Sequence, residues 1–170
     1  AFGQELWVTD GTEDGTHLVK NVDGNISGYP SNLTPFDGKL FFVLEDTTYG
    51  SEPWVTDGTE AATHLFKDIH PAGRSNCFNF VVYNNKLFFS ATDNISQNEL
   101  WATDGTLGGT RLVKDIFVGG HSSPRFLTAF KDKLYFTALK SYTEGRQLWS
   151  YDDNTDVLTL LTPPDADLPK

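Results

Sequence analysis

Short apolar runs separated by turn residues recur along the chain. In one clear example the runs are Asn32–Phe36, Lys39–Leu44, Glu52–Thr56 and Thr63–Ile69. Runs of this length suit β-strands, and no long stretch places apolar residues at helical spacing. The pattern therefore predicts a unit of four short strands.

The residues between the runs favour tight turns. Asp37-Gly38 joins the first two runs and is a strong signal for a two-residue hairpin. Asp57-Gly58-Thr59 follows the third run, where glycine supplies a positive φ and the Asp and Thr oxygens can bond nearby backbone N–H groups. An antiparallel order of strands within each unit follows.

The tryptophans mark a repeat. They are Trp7, Trp54, Trp101 and Trp149, spaced 47, 47 and 48 residues apart. The first three stand in Glu-x-Trp-x-Thr-Asp-Gly-Thr segments that begin at Glu5, Glu52 and Glu99. The fourth copy is degenerate, as terminal repeats commonly are.

The second run of each unit indicates how the units pack. Leu40-Phe41-Phe42-Val43 is apolar without alternation, so this strand must be covered on both faces. Four-stranded sheets stacked around an axis provide that cover, as in β-propellers with blades of about 40–50 residues. We predict an all-β fold: a β-propeller segment of four-stranded antiparallel blades, with about three and a half blades in this chain.

The blade repeats divide one segment that spans 1–170. Their approximate bounds are 1–22 (partial), 30–69, 76–116 and 123–162, followed by a C-terminal tail at 163–170. Three and a half blades do not close a ring, and an open blade would expose a large apolar face. We therefore expect further copies or segments to complete the propeller, in a longer chain or an oligomer.

The recurring residues are interpreted as architectural. Once-per-blade tryptophans favour inter-blade core over sugar-stacking platforms, and the recurring acidic residues favour turn and strand-end bonding over acid–base pairs. The acidic residues concerned are Asp10, Asp57 and Asp104, with Glu5, Glu52 and Glu99. The single cysteine, Cys77, is interpreted as a small buried hydrophobe.

Charge and hydropathy exclude two classes of partner. The formal net charge is −10, whereas nucleic-acid binding needs a basic surface. No apolar run approaches the roughly 18 residues of a membrane helix, so we expect no membrane insertion. The acidic balance fits a saline or extracellular setting.

Candidate binding residues lie where the repeats disagree. The loops that share one face of a propeller are here the most variable, and five of their side chains are candidate ligand contacts. They are Tyr29, Tyr49, Arg74, His121 and Tyr142. Candidate glycosylation sites begin Asn-x-Ser/Thr sequons at Asn25, Asn32 and Asn94.

No cofactor is expected. No metal-binding pattern stands out; calcium at Asp10, Asp14 and Asp23 is the alternative, although the Asp-x-Asp-x-Asp-Gly loop is absent. No Gly-x-Ser-x-Gly motif occurs and no serine is placed uniquely, so we expect no catalytic residues and no enzyme.

From Glu99 to Ile116 the chain reads Glu-Leu-Trp-x-Thr-Asp-Gly-Thr-x-x-Gly-Thr-x-Leu-Val-Lys-Asp-Ile. This motif resembles tandem repeats of large secreted or surface proteins, mostly bacterial, that are thought to form β-propellers. The resemblance implies a secreted or cell-surface protein. Our leading hypothesis is a non-catalytic extracellular module that binds a protein partner or serves a structural role. The alternatives are a carbohydrate-binding lectin propeller with a glycan ligand and an accessory domain of a secreted enzyme.

Overall fold

The computed structural model describes residues 3–22, 24 and 27–161, and in that part of the chain all regular structure is β-strand. The strands are β1 (Leu6–Val8), β2 (His17–Lys20), β3 (Ser31–Phe36), β4 (Lys39–Asp46), β5 (Gly50–Thr56), β6 (His64–Leu65), β7 (Phe78–Tyr83), β8 (Lys86–Thr92), β9 (Asn98–Thr103), β10 (Arg111–Lys114), β11 (Arg125–Phe130), β12 (Lys133–Ser141), β13 (Gly145–Asp152) and β14 (Val157–Leu160).

The strands form four antiparallel sheets in chain order. β1 and β2 make a two-stranded sheet, called the half-blade below. Strands β3–β6, β7–β10 and β11–β14 form four-stranded sheets, called the first, second and third blades. Within each sheet, neighbours in sequence are neighbours in space. The predicted all-β fold of four-stranded antiparallel blades is confirmed.

Two-residue hairpin turns join the first two strands of each blade. In the first two blades both turn residues have positive φ: 50° and 71° at Asp37 and Gly38, and 49° and 55° at Asn84 and Asn85. Two successive positive values define a type I′ turn, whose twist matches that of the flanking strands. The predicted hairpin at Asp37-Gly38 is present.

The first strand of each blade contains a bulge with one residue in the left-handed region. These residues are Asn32 (φ 53°), Asn79 (φ 58°) and Phe126 (φ 58°), each beside a register shift in the pairing with the next strand. Asparagine tolerates this conformation, whereas a bulky aromatic residue rarely adopts it. Phe126, which is exposed, therefore carries backbone strain that the two asparagines avoid.

Consecutive sheets bury apolar side chains between their faces. One cluster joins the half-blade to the first blade through Leu6, Val19 and Trp54. A second joins the first and second blades, with Phe41 against Trp101 and its neighbours. A third joins the second and third blades around Trp149. The core of the chain is therefore a series of inter-sheet layers.

The second strand of a blade is buried on both faces only where a sheet lies on each side. Adjacent residues Phe41 and Phe42 of β4 are both buried, on opposite faces. In β12, Phe136 is buried whereas Tyr135 on the other face is partly exposed. The run of apolar residues without alternation in β4 thus indicates a strand that is covered by a sheet on both faces.

The tryptophans show the same dependence on neighbours. Trp54, Trp101 and Trp149 each face the preceding sheet and are 5%, 8% and 8% exposed. Trp7 is 51% exposed in the described structure, and its place in an inter-blade core stays a prediction. No described sheet precedes the half-blade, so within the described residues this face of β1 packs against no other sheet.

Replacing Trp101 by alanine should lower the free energy of unfolding by about 3–5 kcal/mol, because it empties an inter-sheet layer. The matched variant Trp7→Ala should cost less than about 1 kcal/mol, since this side chain is half exposed. Urea unfolding of both variants measures the difference. Equal costs at the two positions would contradict the layered core.

Phe126→Asn should stabilise the chain by about 1 kcal/mol, because asparagine relieves the strained bulge and an exposed ring loses little packing. The reverse exchange at the equivalent position, Asn32→Phe, should destabilise by a similar amount. Urea midpoints give both values. A lower midpoint for Phe126→Asn would show that the ring has a packing role.

Candidate functional site

The segments that join consecutive sheets run along one rim of the stack. We name their described residues the first linker (21–22, 24 and 27–30), second linker (66–77) and third linker (115–124). The backbone N–H of Ser75 donates to the carbonyl of Ser51 (3.0 Å), and that of Ser123 donates to Asn98 (3.0 Å). The second and third linkers are thereby held beside the start of the third strand of the first and second blades, respectively.

Buried glutamates fix the second and third linkers. Glu52 accepts hydrogen bonds from the backbone N–H groups of Ile69 (3.0 Å) and Ser75 (2.8 Å). Glu99 accepts the equivalent bonds from Ile116 (2.9 Å) and Ser122 (2.9 Å), and a further one from the Ser122 hydroxyl (2.5 Å). The recurring glutamate side chain therefore ties the end of one blade to the start of the next.

Burial governs the protonation of these carboxyl groups. Loss of solvent raises the pKa of Glu99 to about 7, and this effect outweighs the hydrogen bonds that favour the carboxylate. Loss of solvent also raises the pKa of Glu52, with Asp68 adding a smaller effect in the same direction. The attachment of the third linker by Glu99 is thus sensitive to protonation near neutral pH.

The recurring aspartates are engaged in turns. Asp57 Oδ1 accepts hydrogen bonds from the backbone N–H (2.9 Å) and the hydroxyl (2.7 Å) of Thr59. These bonds lower the pKa of Asp57, and those from the equivalent threonines lower the pKa of Asp10 and Asp104. The carboxylates hold the loop that follows each tryptophan strand.

A cleft of about 590 Å³ opens on the rim above the first blade. We name it the rim cleft; its walls are Ser27, Tyr29 and the segments 45–50 and 71–74. Three of the five candidate residues, Tyr29, Tyr49 and Arg74, line it together. They come from the first linker, the β4–β5 loop and the second linker, so the stacking of sheets brings them into one place.

The rim cleft presents two aromatic rings and an ion pair. Tyr29 is 58% exposed and Tyr49 is 41% exposed. Arg74 Nη2 lies 2.6 Å from Glu45 Oε1, and both side chains are solvent-accessible. Aromatic and guanidinium groups held at a concave surface can stack on and hydrogen-bond a ligand.

Two features fix the β4–β5 loop against the second linker. The buried carboxylate of Asp46 accepts hydrogen bonds from the backbone N–H groups of Thr48 (2.8 Å) and Tyr49 (2.5 Å). Gly50 has a φ of 76°, and a Cβ there would stand 2.7 Å from the carbonyl oxygen of Gly73. The close approach of the Gly73 carbonyl therefore requires glycine at position 50, and this contact sets the position of Tyr49.

The side chains of the rim cleft are not repeated in the other blades. The position of Tyr29 is taken by Asn76 and Ser123 in the next two units, and Arg74 is replaced by His121. Tyr49 corresponds to Ser96 in the second blade. The cleft is thus particular to one junction of an otherwise repetitive chain.

The other two candidate residues lie elsewhere on the rim. His121 is exposed on the third linker. Tyr142, in the β12–β13 loop, packs edge-on against Phe117 of the same linker, with ring centroids 4.7 Å apart. The structure therefore separates the five candidates into one group of three and a second group near the third blade.

Sequence reasoning missed two residues of the rim cleft, Glu45 and Asp46. The signal for Asp46 is present, because Asp93 stands 47 residues later and makes the same bonds to Ile95 and Ser96. Its loop role could have been found from that repeat. Glu45 is recognisable only once the second linker brings Arg74 beside it.

The structure describes two of the three candidate glycosylation sites and the single cysteine. Asn94 is exposed in the β8–β9 loop and Asn32 is exposed at the β3 bulge, whereas Asn25 lies outside the described residues. Cys77 is buried between the first and second blades, and burial raises the pKa of its thiol.

Asp23, one of the three aspartates of the alternative calcium site, also lies outside the described residues. The part of the chain that is described contains no group of three or more His, Cys, Asp or Glu side chains able to hold a metal.

The raised pKa of Glu99 predicts a pH-dependent stability. The unfolded carboxyl titrates near 4.5 and the folded one near 7, so its contribution is complete below pH 4.5 and is lost as pH rises through 7. The free energy of unfolding should therefore fall between pH 5 and 8. Within that window one such group contributes a slope of up to about 1.4 kcal/mol per pH unit.

Urea unfolding at several pH values tests this, with Glu99→Gln as the variant and the exposed Glu60→Gln as the control. Glu99→Gln should reduce the slope of the profile, because it removes one of the two glutamates whose pKa is raised, and Glu60→Gln should leave the slope unchanged. A profile that keeps its slope in Glu99→Gln would assign the pH dependence to other groups.

Comparison with known proteins supports the fold. One similar solved structure comes from a structural and mechanistic study of two prolyl endopeptidases and the role of inter-domain dynamics in their catalysis and specificity. It aligns with 94% of this chain, with a TM-score of 0.61 and 13% sequence identity. This chain spans 23% of that one. The likeness to this propeller-containing protein confirms a β-propeller-like fold. No protein-family model and no curated protein matches the sequence.

Among the described residues there is no helix long and apolar enough to cross a bilayer.

Proposed function

We propose that this chain is a non-catalytic, extracellular binding module whose rim cleft holds an exposed segment of a protein partner. The observation that carries the proposal is the convergence of Tyr29, Tyr49 and Arg74 in one cleft. Tyrosine and arginine are the residues that most often dominate the energy of protein interfaces, together with tryptophan. Here they meet at a concave surface with an acidic partner, Glu45.

The rigidity of the surroundings supports the same proposal. The buried side chains of Glu52 and Asp46 hold the second linker and the β4–β5 loop, respectively, by bonds to backbone N–H groups. A preorganised surface loses less conformational entropy when it binds. Because the recurring carboxylates serve these structural bonds, the proposal assigns them no acid–base chemistry.

A lectin is the second candidate, and the two exposed tyrosine rings of the cleft favour it because sugars stack on aromatic faces. In the part of the chain that the structure describes, the cleft side chains occur together at one junction, whereas a lectin propeller would present several equivalent sites. The buried tryptophans of the three complete blades are also unsuited to act as sugar platforms. These two observations favour a protein partner over a glycan. An accessory domain of a secreted enzyme would combine the same binding role with a catalytic domain elsewhere.

The extracellular setting is part of the proposal. It is supported by the acidic composition, with 23 acidic against 13 basic side chains, and by the exposed sequon at Asn94. The likeness of the Glu99–Ile116 motif to repeats of secreted and surface proteins points the same way.

Selection of peptides from a displayed library tests the proposal. Peptides should be selected on the wild-type chain and then measured against Tyr49→Ala and Arg74→Ala. Each substitution should weaken binding at least about tenfold, because it removes a ring or a guanidinium from the contact surface. His121→Ala and Tyr142→Ala are matched controls on the same rim and should bind like wild type.

Probing the same variants on a glycan array separates the two candidates. Saturable binding of one sugar class that depends on Tyr49 would support the lectin instead. Selected peptides that bind all four variants equally would exclude the rim cleft as the binding surface.

A further inference from the structure

The half-blade has an open strand edge beside an apolar groove. In the described structure β1 pairs with β2 only, so its other edge faces no strand. A groove of about 370 Å³ lies next to that edge, between β1 and the first two strands of the first blade. We name it the edge groove; its apolar walls include Leu6, Trp7, Val19, Leu33 and Leu40.

The complete blades show what occupies the corresponding position. In each of them the third strand pairs with a second strand that sets a phenylalanine directly opposite the tryptophan. These pairs are Phe42–Trp54, Phe89–Trp101 and Phe136–Trp149. Trp7 of β1 has no such partner within the described residues, although β1 otherwise repeats the third strand of a blade.

The walls of the edge groove are exposed only at this junction. Leu33 is 50% exposed, whereas Leu127, its equivalent in the third blade, is 7% exposed. Leu40 is partly exposed, whereas Leu87 and Leu134 at the same position are buried.

At the later junctions, aromatic side chains from the first two strands of the preceding blade cover these walls. They are Phe36 and Phe41 between the first and second blades, and Tyr83 and Phe88 between the second and third.

We infer that the edge groove binds a β-hairpin with the pattern of this chain's own first two strands: an aromatic residue, a two-residue turn, then Lys-Leu-aromatic-aromatic. The second strand of the hairpin adds antiparallel to β1, with its last aromatic residue opposite Trp7. Main-chain hydrogen bonds to the strand edge supply affinity, and the aromatic side chains that enter the groove supply selectivity.

One contact refines the sequence of the bound hairpin. Tyr83 ends the first strand of the second blade, and its hydroxyl donates to the carbonyl of Asp132 in the hairpin turn of the third blade (2.6 Å). The equivalent turn residue at the edge groove is Gly38. A tyrosine at the end of the first strand of the bound hairpin is therefore preferred. This binding surface is separate from the rim cleft.

A synthetic peptide of residues 31–46, which contains no tryptophan, tests the inference. Added to the full chain, it should bind with a stoichiometry of one and shift tryptophan emission to shorter wavelength, because Trp7 is the half-exposed tryptophan. It should also raise the melting temperature, since a ligand of the native state stabilises it.

Three matched changes define the site. Phe41→Lys in the peptide should abolish binding, because this side chain would enter the groove. Leu33→Glu in the chain should do the same, and its exposure on β3 lets the protein fold. Trp7→Phe in the chain should keep the rise in melting temperature and lose the emission shift.

Fusion of residues 31–49 directly before Gly3 provides a second test if the free peptide self-associates. Gly3 stands 47 residues before Gly50, so the fused hairpin meets β1 through the natural loop length. The fused chain should melt at least about 5 °C higher than the same fusion carrying Phe41→Lys in the added hairpin. Equal melting of the two fusions, or equal peptide binding by the Leu33→Glu chain, overturns the inference.

Discussion

Each sheet of this chain can bury its aromatic faces only against another sheet. A four-stranded blade with Phe41 on one face and Phe42 on the other has no internal core, so two neighbours must supply one. The stability of the chain is therefore distributed over the junctions between sheets, as in other repeat proteins. The contrast between Trp101 and Trp7, which share a sequence context, is the clearest expression of this constraint.

Because each sheet depends on its neighbours, the recurring residues of the repeat stabilise the fold, and the variable residues of the linkers form the exposed rim. Tryptophans and phenylalanines fill the layers of all three blades. In the first and second blades the same glutamates hold the linkers and the same aspartates close the turns, because the same contacts return. The linkers carry different side chains at the rim because their backbones, and not those side chains, make the recurring bonds. Arg74 illustrates the connection: it is displayed by a linker whose path is set by Glu52.

Much of the fold was predictable because its signals are local or periodic. The tryptophan spacing gave the unit, Asp37-Gly38 gave a hairpin, and the non-alternating strand at Leu40–Val43 indicated cover on both faces. The exposure of Trp7 was not predictable from its motif, because it depends on a neighbour and not on the residue. That three of the five candidate residues line one cleft also depends on tertiary structure. Tyr29 and Arg74 come close to each other only because two sheets stack. The left-handed conformation of Phe126 follows from the repeat geometry and contradicts its residue type.

The two-stranded sheet at the start of the chain has a consequence for cooperativity. A stack loses structure most easily from an end that shares a single interface. Within the described residues, the half-blade packs against one sheet and has half the usual strands. The first linker, which follows it, carries Tyr29 into the rim cleft. Fraying of that end would therefore withdraw one wall of the cleft while leaving Tyr49 and Arg74 in place. The affinity of the rim cleft for a ligand would then depend on a local opening of the half-blade, which needs much less free energy than global unfolding. Any contact that holds the half-blade closed would therefore raise that affinity.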